Sequence, residues 1–156
     1  MRRIFAVNLG VLAFAFFLRV LGQVLVAFFQ VDLLPPMAEW YSGLLPYPVL
    51  LPIQLLILVV QAKVFLDIWR DSGFFAIRRP RAGKVLCWFS YVYFAGMVLR
   101  YVLMMSIYPG RRWFTGTIPI FFHWVLAAYL FVLGRFQVWA DGGASREEET
   151  PWSERK

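Results

Sequence analysis

Between Val85 and Tyr108 the chain reads VLCWFSYVYFAGMVLRYVLMMSIY, an apolar run with Arg100 well inside it. A hydrocarbon core of ~30 Å is crossed by about 20 apolar residues in a helix. In that medium the backbone finds no water, so each segment must satisfy its own N–H and C=O groups, and a helix does so. Three more runs of this kind, at about 4–29, 48–66 and 117–139, repeat the constraint. A soluble core needs no such set, and the composition agrees: 61% hydrophobic residues and a mean hydropathy of +0.64.

The sequence therefore predicts an all-α integral membrane fold. Four transmembrane helices, at about 4–29, 48–66, 85–108 and 117–139, make one domain over 1–140. Short connections make sequential helices antiparallel neighbours, so an up-down-up-down bundle is expected. The segment 141–156, DGGASREEETPWSERK, is polar and mixed in charge, and a disordered cytoplasmic tail is expected there. Met1-Arg2-Arg3 before an apolar run resembles the start of a signal peptide. The run to Phe29 is too long for one, and Arg19 interrupts it, so an uncleaved first crossing is expected.

Orientation follows from the basic residues. Asp67–Lys84, DIWRDSGFFAIRRPRAGK, holds Arg70, Arg78, Arg79, Arg81 and Lys84 against Asp67 and Asp71. Lys and Arg accumulate on cytoplasmic loops, which places this loop and both chain ends inside and predicts a multi-pass protein of the plasma (inner) membrane. The same residues would also attract anionic lipid headgroups. The first outer loop carries Asp32 and Glu39, with Trp40 and Tyr41 suited to the interface. Topology thereby explains most of the net charge of +7, with Arg111 and Arg112 in the second outer loop as an exception, and nucleic acid is not an expected partner.

Polar residues inside the apolar runs mark the side that faces other helices. On the first helix Asn8, Arg19, Gln23 and Gln30 fall on one stripe; on the second, Gln54 and Gln61 are seven apart; on the third, Tyr93, Met97, Arg100 and Met104 align. Arg19 and Arg100 each lie fifteen residues above their expected helix starts, roughly 22 Å from the inner edge at 1.5 Å per residue. Gln54 and His123 lie about 9 Å in from the outer edge by the same measure, so all four are expected at nearly one level. Pro52 is expected to loosen the first turn of the second helix and free carbonyls near Gln54.

The candidate anion-binding residues are Arg19, Gln23, Gln54, Arg100, Arg111, Arg112 and His123. Guanidinium groups offer forked donors to phosphate or carboxylate, and two helix N-termini point the same way. The structural reading of the same residues is snorkelling to headgroups, or pairing with Asp32, Glu39 or another subunit. No catalytic motif, paired carboxylate or metal cluster is present in the sequence, and no cofactor is evident. Haem held by His123 with Met97 or Met104, or by two copies of His123, needs ligands that the chain supplies sparingly. Cys87 alone forms no internal disulfide and reads as a packing residue.

These observations favour a small polytopic inner-membrane protein that binds a lipid or anionic ligand without catalysis, or serves as an accessory subunit of a membrane complex. Two alternatives stay open. One is a membrane-embedded enzyme or redox protein acting on a lipid or quinone through an Arg/His site in the outer half. The other is a small oligomeric transporter, although no internal repeat of the transporter kind is visible. Expected partners are membrane lipids, an anionic or quinone-like ligand, and a membrane protein or second copy.

Overall fold

The computed structural model describes residues 1–29, 31, 33–36, 40, 46–107 and 118–139. Among them are four helices, α1 (Arg2–Phe29), α2 (Tyr47–Arg70), α3 (Pro80–Ile107) and α4 (Ile118–Val138). Each is long and apolar enough to cross a membrane. The expected tail at 141–156 lies outside the described residues, as do Gln30, Asp32 and Glu39.

Two helices run past their apolar stretches at the basic loop. α2 continues beyond Leu66 to Arg70, where a cation suits the negative end of the helix dipole. α3 starts at Pro80, five residues before Val85, because proline's fixed φ and missing N–H fit a first helical turn. Asp71 ends α2 in the left-handed region, with φ 56°, and its N–H bonds the Asp67 carbonyl. Aspartate tolerates that region better than most side chains do.

The loop from Asp71 to Arg79 is then pinned from two sides. The Asp67 carboxylate accepts the Phe75 N–H at 3.2 Å and the Lys63 ammonium at 3.3 Å. Gly73 sits at φ +100°, and a Cβ there would stand 2.6 Å from the Asp67 carboxyl carbon. Only glycine meets both conditions. From α4, Gln137 accepts the Arg79 N–H at 2.8 Å and donates to the Phe75 carbonyl at 3.2 Å.

α1 and α4 form the centre. α1 packs on α2 and on α4, and α3 packs on α4. Phe5 meets Phe136 and Arg19 meets Phe122, so α1 and α4 run past each other in opposite order. Gly10 against Phe65 and Gln23 against Gln54 give the same sense for α1 and α2. The apolar core joins Ala6 and Leu9 to Val64, Ile68, Leu133 and Phe136, all on the half nearer the basic loop.

α3 reaches α4 through glycine. A Cβ on Gly134 would fall 2.8 Å from Cys87 Sγ and 2.9 Å from the Gly83 oxygen. Small residues allow the backbones this approach. Among the described residues no extended contact joins α2 to α3. The expectation that each helix packs on the next thus meets an exception. α1 and α4 fill the middle, and the loop anchored by Asp67 and Gln137 spans from α2 to α3 across them.

Candidate functional site

The two central helices bring several expected residues together. Arg19 on α1 is 7% exposed, so it does not extend outward. One guanidinium nitrogen reaches the Trp40 carbonyl at a long 3.4 Å, and the group lies over the Phe122 ring, 5.7 Å from its centroid. Phe122 precedes His123 on α4, so Arg19 stands beside the histidine's turn. Arg19 Nε is buried without a hydrogen-bond partner among the described residues.

One turn further along α1, Gln23 is fully buried and accepts the Gln54 amide N–H at 3.1 Å. That single bond leaves Gln23 Nε2 and Gln54 Oε1 buried and unpartnered. The Tyr47 hydroxyl, at the start of α2, is also buried without a partner, and it lies within Coulombic range of Arg19. α2 continues through Pro52. The carbonyl thereby deprived of a helical donor belongs to Pro48, four residues back, and not to the turn at Gln54.

Across the centre, His123 Nδ1 and the Tyr93 hydroxyl are 2.6 Å apart. Which atom donates follows the imidazole tautomer. Arg19 and Arg100 both lie within Coulombic range of His123. Arg100 is two turns beyond Tyr93, roughly 10 Å further along α3, and half-buried. Both arginines thus face the histidine, Arg19 from α1 and Arg100 from α3. Side chains lean toward a helix N-terminus, so the Arg100 guanidinium leans back toward Tyr93 and His123.

Trp40 is a further member, read from the sequence only as an interface anchor. Its ring occupies the place a Cβ on Gly22 would need, 2.7 Å from the nearest ring carbon. Its indole N–H donates to the Pro35 carbonyl at 2.8 Å. Tyr47 and Tyr93 were likewise outside the expected site. Tyr93 had a visible signal, seven residues from Arg100 on one stripe. Asn8, expected on the packed stripe of α1, is exposed instead. Leu9, about 100° around the helix, takes the buried position and packs with Ile68 and Phe136. Arg111 and Arg112 lie outside the described residues.

Among the described residues, charge around Arg19 and His123 is one-sided. The ion pairs of the described residues are Arg2–Asp71 and Lys63–Asp67, both at the basic-loop end. Neither Arg19 nor Arg100 meets a carboxylate among the described residues. Buried donors held without acceptors cost on the order of 1–3 kcal/mol each, so a site of this kind gains most from an acceptor-rich, negatively charged group. No family model, curated protein or solved structure matches the chain.

Proposed function

We propose that the chain is an integral, multi-pass protein of the inner membrane, an antiparallel four-helix protein with both ends in the cytoplasm. In the outer half it holds an anionic lipid or lipid-like ligand, and it acts as a binding protein or accessory subunit. The opposite running order of the packed helices and the basic loop from Arg70 to Lys84 support the topology. The observation that carries the ligand reading is the set of buried polar atoms around Arg19 that have no partner among the described residues: its own Nε, Gln23 Nε2, Gln54 Oε1 and the Tyr47 hydroxyl. Three of these can donate to phosphate or carboxylate oxygens, and Gln54 Oε1 can accept from a hydroxyl on the same headgroup.

Native mass spectrometry of the protein extracted in mild detergent tests this. A retained anionic amphiphile is the expected result. A spectrum of bare protein under conditions that preserve lipid on a control membrane protein would sink the reading.

The Tyr93–His123 hydrogen bond favours a second reading, an enzyme or redox protein acting on a lipid or quinone. His123 would serve as base, with Arg19 and Arg100 stabilising developing negative charge. His123→Gln separates the two: under the first reading no substrate accumulates, and under the second a substrate accumulates in place of product.

A further inference from the structure

At the other end of the molecule, a groove of about 650 Å³ runs between α1 and α2. Val7, Gly10, Phe14, Ala62, Phe65 and Trp69 line it, and its walls carry almost no polar surface. Its form comes from Gly10: a Cβ there would stand 2.9 Å from the Phe65 ring, so the ring lies directly on the α1 backbone. Phe65 in turn stacks on Trp69, with centroids 5.8 Å apart. The groove is open on its outer side, and Val7, Phe14 and Trp69 are exposed along it.

The groove's mouth is cationic. Arg3 stands four residues before Val7 and seven before Gly10, on the face that lines the groove. The Arg2–Asp71 ion pair ties the start of α1 to the end of α2. Arg2 is thereby committed, whereas exposed Arg3 and Arg70 have no ion-pair partner among the described residues. An apolar slot with an exposed arginine, Arg3, at the end of its α1 wall matches one kind of molecule: a long acyl chain attached to a phosphate.

We infer that the α1–α2 groove seats one acyl chain of an anionic phospholipid from the cytoplasmic leaflet, with Arg3 at its phosphate. The inference rests on the membrane reading above but not on the outer polar site. One basic residue at the bilayer surface favours anionic over neutral lipid roughly fivefold.

Tryptophan quenching by brominated lipids tests the seat, because Trp69 lines it. Protein is reconstituted in vesicles with brominated phosphatidylglycerol or brominated phosphatidylcholine, and the Trp69 contribution is taken by difference from Trp69→Phe. The expected result is preferential quenching of Trp69 by the anionic lipid, roughly fivefold in apparent affinity. Arg3→Gln should bring the preference close to one, and Ala62→Phe, which fills the slot, should lower Trp69 quenching by both lipids. Equal quenching of wild-type Trp69 by the two lipids would overturn the seat while leaving the membrane reading intact. Emission untouched by either lipid at every tryptophan would overturn both.

Discussion

The Tyr93 hydroxyl on α3 and Nδ1 of His123 on α4 lie 2.6 Å apart, the one side-chain to side-chain hydrogen bond joining these helices among the described residues. If it couples the helices, Tyr93→Phe and His123→Leu should each lower stability by about 1 kcal/mol. The double variant should lose little more than either single one, because the second change removes nothing further. Thermal melting in detergent reads the cycle. Fully additive losses would mean that the two groups act independently.

Gly134 and Gly96 both lie in helices long and apolar enough to cross a membrane, and their surroundings differ completely. A Cβ on Gly134 meets the Cys87 backbone nitrogen at 2.9 Å, whereas one on Gly96 meets nothing within 4 Å. Gly134→Ala should therefore force α3 off α4 and cost about 1–3 kcal/mol. Gly96→Ala should be neutral, or stabilising by up to about 1 kcal/mol, since alanine loses less chain entropy on forming helix. Similar melting temperatures for the two variants would contradict the close α3–α4 contact.

Gln61 is 2% exposed, and neither of its amide atoms has a hydrogen-bond partner among the described residues. The Tyr129 hydroxyl bonds the Gln61 backbone carbonyl at 3.3 Å and leaves the side chain unserved. Gln61→Leu keeps the volume similar and removes two unsatisfied groups, so it should raise stability by on the order of 1 kcal/mol. A loss of that size would instead show that the amide is satisfied in the membrane, as a buried water would do.

Much of this arrangement is legible in the residues. Hydropathy alone marks the four helices, because a bilayer permits so few structures. The seven-residue spacing of Gln54 and Gln61 marks a buried face. Helix ends are harder: apolar content stops at Leu66 and resumes at Val85, but capping by Asp71 and initiation at Pro80 carry the helices past those limits. Asn8 shows a second limit. A polar residue near the end of a transmembrane helix reaches water or headgroups, so falling on a polar stripe does not bury it. The placing of Trp40 and Tyr47 beside Arg19 is set by tertiary packing, and no periodicity encodes that. Neither does the order in which the helices pack, which left α1 and α4 at the centre.

Arg19 is the most deeply held cation of the site, and binding of an anionic amphiphile to Arg19 variants tests the central claim. Purified protein in neutral detergent is titrated calorimetrically with a short-chain phosphatidylglycerol. Wild-type protein should bind it saturably. Arg19→Leu should bind about ten- to a hundredfold more weakly, the cost of losing a charge-assisted hydrogen bond. Arg19→Lys should recover only part of the loss, because an ammonium does not reproduce the guanidinium fork. If Arg19→Leu melts at or above the wild-type temperature and binds the lipid as tightly as before, Arg19 is a structural residue and the ligand reading is wrong.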